Sequence, residues 1–68
     1  MTGKISRLLT DKGFGFIVGE DGQEYFMHRS ALADRSSVFE LLREGQAVTF
    51  DAGRGDKGLR AEHVRVEG

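Results

Sequence analysis

The chain has 68 residues, no cysteine, and a formal charge of −1 from 10 basic and 11 acidic residues. This length predicts one domain over residues 1–68, close to the lower limit for folding without disulfides or metals. The lack of cysteine excludes a disulfide framework and a zinc–thiolate site. The nearly balanced charge argues against strong global attraction to a polyanion, although local clusters of charge can still bind one.

The sequence contains no apolar run long enough to span a membrane, and its N-terminus lacks the basic-then-apolar pattern of a signal peptide. We therefore expect a cytoplasmic protein. His28 and His63 lack partners at the spacing of metal ligands, so we expect neither a metal nor another cofactor.

The first half of the chain predicts three short strands, because its glycines are spaced too closely for a helix of ordinary length. The predicted strands cover Lys4–Leu9, Gly15–Val18 and Glu24–His28. Between the second and third strands lies Asp21-Gly22, a dipeptide that is typical of a hairpin turn.

The second half predicts a helical turn and two more strands. After a polar stretch, Val38–Arg43 can form one or two helical turns that end before Gly45. Apolar and polar residues then alternate over Ala47–Ala52 and Leu59–Val66, which predicts strands four and five. The glycine-rich stretch between them, Gly53–Gly58, predicts a mobile loop.

Five short strands in so few residues favour an all-β barrel, since closure removes exposed strand edges. The alternation within the strands predicts a core, with two leucines closing one end of the barrel. The predicted core residues are Ile5, Ile17, Tyr25, Met27, Leu32, Leu42, Val48, Phe50, Val64 and Val66.

Two aromatic segments, KGFGFI from Lys12 and YFMH ending at His28, carry the functional signal. Side chains alternate along a strand, so Phe14 and Phe16 share one face, and Phe26 shares a face with His28. If the hairpin brings both faces to the same side, three rings and an imidazole form one patch beside Lys12. Such a patch suits unpaired bases, which stack on rings while cations meet the phosphates.

Alternation alone does not decide whether this aromatic face is exposed. Both faces of the second and third strands are apolar, with Ile17, Tyr25 and Met27 on the opposite side, and aromatic side chains usually belong to the core. Gly13 and Gly15 favour exposure, because bare backbone on either side of a ring lets a ligand approach closely.

The two segments, in this order and at this spacing, resemble the cold-shock domain family, and the likeness covers nearly the whole chain. The matching residues are Met1–Gly3, Asp11–Ile17, Asp21-Gly22, Phe26, His28, Ser30–Leu32, Glu44–Gln46, Val48, Phe50, Ala61 and Val64.

The resemblance implies a five-stranded antiparallel barrel of the OB type, with a short helical turn between strands three and four. It also implies binding of single-stranded RNA or DNA through a surface aromatic face, with an action like that of an RNA chaperone and without ATP. Nothing in the sequence demands more than a monomer, and we expect one. The resemblance also implies roles by position. Bases would stack on Phe14, Phe16, Phe26 and His28, with Lys12 at the edge of these rings. Lys4 and Arg60 would contact the phosphates.

The chain departs from the family at three aromatic positions. The family has Trp-Phe where this chain has Arg7-Leu8, and an aromatic residue where it has Arg29. A guanidinium can stack on a base and pair with a phosphate, so Arg7 and Arg29 are candidate replacements. We therefore expect a binder that is weaker and more dependent on salt than a typical family member.

Other function classes remain as alternatives. The missing aromatics and the acidic balance are compatible with a small barrel that binds a protein through a decayed nucleic-acid face. An RNA-recognition motif would need a strand, a helix and another strand before the KGFGFI segment, and the sequence before Lys12 is too short for these. His28 and Ser30, with Asp34 nearby, are a conceivable catalytic pair, but nothing completes an oxyanion site, and we expect no enzyme activity.

Overall fold

The computed structural model describes residues 1–32, 42–55 and 58–67, and in these residues five strands close into a barrel. The strands are β1 (Thr2–Leu9), β2 (Phe14–Gly19), β3 (Glu24–His28), β4 (Ala47–Gly55) and β5 (Gly58–Val66), in the spatial order β1-β2-β3-β5-β4. A 3-10 turn, Arg29–Ala31, follows β3. The predicted all-β barrel of the OB type is confirmed.

The strand pairing differs from the prediction at one seam. Four of the five pairings are antiparallel, whereas β3 and β5 run parallel where Phe26 lies opposite Arg60. An odd number of strands cannot close into a ring with alternating directions throughout, so at least one pair has to be parallel. This seam joins the β1-β2-β3 meander to the β4-β5 hairpin.

The predicted hairpin at Asp21-Gly22 joins β2 to β3. Gly22 has φ 80°, the left-handed conformation that glycine adopts without strain. The Asp21 carboxylate accepts a hydrogen bond from the Gln23 amide at 3.0 Å and from the Tyr25 hydroxyl at 2.6 Å. Both hydrogen bonds lower the pKa of Asp21, the one from Tyr25 more than the one from Gln23. The Asp21 carboxylate in turn raises the pKa of Tyr25.

The core agrees closely with the predicted one. Its buried residues are Ile5, Ile17, Tyr25, Met27, Leu42, Val48, Phe50, Ala61 and Val64. Val66 and Leu32, which were predicted as core, are half-buried and pack against this cluster, while Ala61 was not predicted. Burial of each large apolar side chain contributes about 1.5 to 3 kcal/mol, which makes this cluster the main stabilising element of a small barrel.

Two predicted boundaries in the second half change. The loop predicted at Gly53–Gly58 is wrong at both ends, because β4 continues to Gly55 and β5 begins at Gly58. The ladder continues there through the pairs of Gly53 with Arg60 and Gly55 with Gly58, and residues 56–57 lie outside the described residues. Of the predicted helical turn Val38–Arg43, residues 38–41 also lie outside them, and its last two residues are not helical.

No helix in residues 1–32, 42–55 and 58–67 is both long enough and apolar enough to cross a membrane.

Candidate nucleic-acid interface

A bulge in β1 determines which side chains of that strand face outward. Ile5 pairs with Ile17 and Arg7 pairs with Phe16, so Ser6 is an extra residue on β1. An extra residue reverses the alternation that follows it. Arg7 therefore faces the solvent, while Leu8, opposite Gly15, is half-buried and packs against the core. Of the two positions where the resemblance implies Trp-Phe, that of Arg7 is the one on the outer side.

The outer face of β1, β2 and β3 consists of three rows of directly paired residues. In the order β1, β2, β3, these rows are Leu9, Phe14, His28; then Arg7, Phe16, Phe26; then Lys4, Val18, Glu24. Arg60 on β5 pairs with Phe26 and extends the middle row across the parallel seam. The middle row thus places an arginine on either side of two phenylalanines.

The three phenylalanine rings and the imidazole of this outer face form one aromatic platform, composed of Phe14, Phe16, Phe26 and His28. The ring centroid of Phe14 lies 6.1 Å from that of Phe16 and 5.6 Å from that of Phe26, and those of Phe16 and Phe26 are 5.9 Å apart. All four side chains are half-buried. The rings cover part of one another's surface while each keeps an accessible part on the outside of the barrel.

His28 is held in a fixed orientation by the turn that follows it. Its Nδ1 accepts a hydrogen bond from the Ser30 backbone N–H at 3.1 Å and lies 2.8 Å from the Ser30 hydroxyl. An N–H group can only donate, so Nδ1 is the acceptor and the neutral ring carries its proton on Nε2. The contact between His28 and Ser30 is thus the N-terminal cap of the 3-10 turn.

Two further cations lie at the end of the aromatic platform near Phe14. Lys12 is exposed in the turn between β1 and β2, where its amide donates to the Leu9 carbonyl at 2.9 Å. Arg29 donates its amide to the Gly13 carbonyl at 2.9 Å. The Arg29 side chain covers Gly13, since a Cβ atom on that glycine would lie 3.3 Å from Arg29 Cδ. Gly13, with φ 76°, adopts the left-handed conformation in the turn between Lys12 and Phe14.

Arg60 borders the aromatic platform on its β5 side. Its stem lies across Gly55, where an added Cβ would come within 2.9 Å of Arg60 Cδ. The Arg60 Nε is 3.8 Å from a Glu62 carboxylate oxygen, beyond hydrogen-bond distance, and both side chains are nearly half exposed. Such a pair contributes little, which leaves the guanidinium available to a ligand.

The structure brings together most of the predicted site residues. Arg7 and Arg60 lie at the two ends of the middle row, Arg29 lies against Gly13 next to His28, and Lys12 is exposed in the turn that precedes Phe14. Lys4 lies in the next row, beside Val18 and on the same row as Glu24, and does not border the rings. Acidic side chains of the β2-β3 turn, such as Asp21, lie beyond that row. A chain with a balanced total charge therefore has a cationic border around its aromatic platform.

Sequence reasoning missed the concave surface next to Arg60. Leu59, Gly55 and Gly58 line it together with the edge of the aromatic platform and Ser30. Ser30 follows His28 by two residues and could have been predicted as a site residue together with His28. No sequence pattern indicates Leu59 as a site residue, because it lies near Phe26 only through the parallel pairing of β3 with β5.

A closed five-stranded barrel with outward aromatic rings edged by cations defines a small nucleic-acid-binding domain of the OB type. Residues 1–67 match the family described as the 'Cold-shock' DNA-binding domain. The chain is 46% identical over 65 residues to cold shock protein 2 of Lactiplantibacillus plantarum, covering 96% of each chain. It is 45% identical over 65 residues to cold shock protein CapB of Pseudomonas syringae pv. tomato, covering 96% of this chain and 91% of that one.

A third relative, the cold shock-like protein of Thermotoga maritima, is 41% identical over 66 residues, with 97% of each chain covered. The chain belongs to the cold-shock domain family, and nucleic-acid binding is the function common to that family.

Proposed function

We propose that this protein binds single-stranded RNA or DNA, with bases stacked on Phe14, Phe16, Phe26 and His28. The observation that carries the proposal is the outward aromatic platform, whose three ring centroids lie within 6.1 Å of one another. Half-buried rings grouped on the outside of a barrel leave apolar surface in water that a ligand can cover, and every base offers a face that can stack on them.

The cations around the rings supply the phosphate contacts in this proposal. Lys12 precedes Phe14 in an exposed turn, Arg29 lies against Gly13, and Arg7 and Arg60 flank the middle row. Lys4, one row away, contributes the least. Arg7 and Arg29 also stack on bases through their guanidinium planes, which partly replaces the aromatics that the chain lacks.

The expected consequence of this composition is a transient binder. A base that stacks on a protein ring is worth about 1 to 3 kcal/mol, so exchanging rings for guanidinium groups lowers the non-electrostatic share of the affinity. The share that comes from phosphate contacts falls as salt rises. Binding is therefore weaker and more dependent on salt than in a family member that has all of its aromatics.

The action of the protein follows by competition. A base stacked on the aromatic platform cannot pair with another base of its own strand, so an RNA bound there is kept from folding on itself. Fast dissociation then makes the same RNA available for other interactions. This action needs neither ATP nor catalysis. The contact of His28 with Ser30, which could suggest a catalytic pair, has a structural role as the cap of the 3-10 turn. We propose that residues 1–68 act as one monomeric domain in the cytoplasm.

A fluorescence-anisotropy titration tests this function. The protein is added at low salt to a labelled single-stranded oligopyrimidine of about seven nucleotides, a length within the range that one OB fold covers. Saturable binding that weakens as salt rises supports the proposal, and a duplex of the same length should bind much less well. If no oligonucleotide binds at high micromolar protein while a protein partner is retained on the immobilised barrel, the protein-interaction alternative replaces it.

A further inference from the structure

A cavity of about 310 Å³ lies beside the aromatic platform, between β3 and the β4-β5 hairpin. Its apolar walls are Phe26 and Leu59, and Gly55 and Gly58 line it without side chains. The volume is at the lower end of the range for small-molecule pockets, roughly 300 to 1,000 Å³. The cavity is therefore suited to a single planar group that stacks on Phe26, such as one nucleobase.

The polar rim of this cavity is rich in donors. Arg60, His28 and Ser30 line it. The guanidinium of Arg60 can only donate, and the Nε2 of His28 carries the ring proton because Nδ1 accepts from the Ser30 amide at 3.1 Å. The Nε of Arg60 is buried and has no hydrogen-bond acceptor among the described residues. Because Nε is buried, a ligand that brings acceptors into the cavity would pair instead with the terminal Nη donors of Arg60, whose side chain is 43% exposed.

Base edges differ in how well they match such a rim. Guanine presents two adjacent acceptors, O6 and N7, which a guanidinium contacts with two parallel hydrogen bonds. Adenine places its N6 amino donor next to N7, and cytosine presents an amino donor on the corresponding edge. A guanidinium fork held beside a stacking ring thus favours guanine.

We propose that this cavity is a guanine-selective subsite, in which Phe26 stacks on the base and the Arg60 guanidinium contacts its O6 and N7 atoms. The proposal rests on the proposed function and deepens it, since it assigns a base preference to one position of the bound strand. Arg60 is then a specificity-determining residue as well as a cation at the edge of the aromatic platform. Gly55 supports this role by leaving room for the Arg60 stem to lie across β4.

The test measures anisotropy for four labelled oligonucleotides of about seven nucleotides, a length that one OB fold covers. One is all uridine, and the others carry a single central guanine, adenine or cytosine. The wild type is expected to bind the guanine strand about tenfold more tightly than the uridine strand, the discrimination of one bidentate contact. Arg60→Lys keeps the charge but loses the planar fork, so it should bind all four strands alike.

Arg65→Lys is the matched control, because Arg65 is exposed on the same strand and pairs with Thr49, away from the cavity. This variant should keep the guanine preference. Thermal unfolding checks that both variants remain folded, which we expect because Arg60 and Arg65 lie outside the core.

The possible outcomes separate this proposal from the proposed function. Equal affinity for all four strands, or a preference for adenine or cytosine, overturns the guanine subsite and leaves single-strand binding intact. A guanine preference that survives in Arg60→Lys also overturns it, since the selectivity then arises elsewhere. Failure of all four strands to bind overturns both proposals.

Discussion

The two faces of the β2-β3 hairpin are built from the same kinds of residue and have opposite roles in this account. Facing inward, Ile17, Tyr25 and Met27 are almost completely buried. Facing outward, aromatic side chains of similar size, such as Phe16 and Phe26, are only half-buried. The difference lies in what covers each face among the described residues. The inner face packs against β4 and β5 across the barrel, whereas the outer rings pack on one another and stay half-buried.

This contrast shows that an apolar residue on a strand contributes to stability or to binding according to its side of the sheet. The hydroxyl of Tyr25 reaches out of the core to Asp21, so even this buried ring has its polar end satisfied. In the part of the chain that the structure describes, the outer rings are only half covered. Substitutions on the inner face should therefore change the free energy of unfolding, and substitutions on the outer face should change the affinity for a strand.

The largest expected effect is on the inner face. Met27→Ala removes a fully buried side chain and leaves a cavity, so it should lower the free energy of unfolding by about 2 to 5 kcal/mol, as measured by urea denaturation. Val18→Ala is the control, because Val18 lies on the outer side of the same hairpin, 38% exposed, and its truncation should change stability by about 0.5 kcal/mol or less. Equal losses for the two variants would contradict the assignment of the faces.

The second effect is on the outer face. Phe26→Ala should weaken binding of an oligopyrimidine by about 1 to 3 kcal/mol while the protein stays folded, because a stacking ring is lost and no core residue is touched. Phe26→Tyr keeps a ring and should bind nearly as well as the wild type. Anisotropy gives the affinity, and circular dichroism gives the unfolding midpoint. If Phe26→Ala unfolds instead, the ring belongs to the core and the platform is misassigned.

A third, smaller effect concerns the cations around the rings. Arg7→Gln should reduce the slope of log affinity against log salt by about 0.7, the value for one phosphate contact on a single strand. Arg65→Gln removes the same charge at a site away from the outer face and should leave the slope unchanged. A slope that changes equally in both variants would mean that the total charge of the protein, and not the position of Arg7, controls binding.

The smallest effect is on the pH dependence of stability. The pKa of Asp21 lies below its ordinary value of 3.8, so its ionised form stabilises the fold above that pH, and this contribution is lost as the pH falls through the folded pKa. The pKa of Tyr25 lies above its ordinary 10.0, so its contribution is present below pH 10.0 and is lost as the pH rises through the folded pKa.

Asp21→Asn should therefore be less stable than the wild type at neutral pH, and the difference should vanish in strong acid. Thermal unfolding across the acid range measures this difference. Glu20→Gln, a neighbouring exposed carboxylate in the same turn, should show no comparable change. A Tyr25 hydroxyl that titrates below 10.0 would contradict the hydrogen bond to Asp21.

Much of the fold could be predicted from the sequence, because alternation and glycine spacing are local signals. They indicated the five strands and nearly all of the core. Alternation counted from Ile5, however, would put Arg7 inside and Leu8 outside. The bulge at Ser6 reverses this, and nothing in the local pattern reveals it. The exposed position of Arg7 was predictable only from the family resemblance.

The resemblance also decided the orientation of the aromatic rings, which periodicity left open. The resemblance indicated Arg60 only as a candidate phosphate contact, and neither the resemblance nor periodicity indicated that it lies beside Phe26. This position depends on the parallel seam between β3 and β5, which pairs residues far apart in the chain. Long-range pairing of this kind follows from barrel closure and leaves no trace in short sequence windows. Consequently the cavity beside Arg60 became visible only in the structure.

The most direct test of the central claim is an aromatic side-chain NMR titration of the wild type with a single-stranded oligopyrimidine. We predict that the ring resonances of Phe14, Phe16 and Phe26 change in chemical shift as the strand is added, while those of the buried Tyr25 and Phe50 rings do not. Saturating shifts confined to the outer rings would establish that this face binds the strand. Shifts in the buried rings with unchanged outer rings, or no shifts at all, would contradict the account.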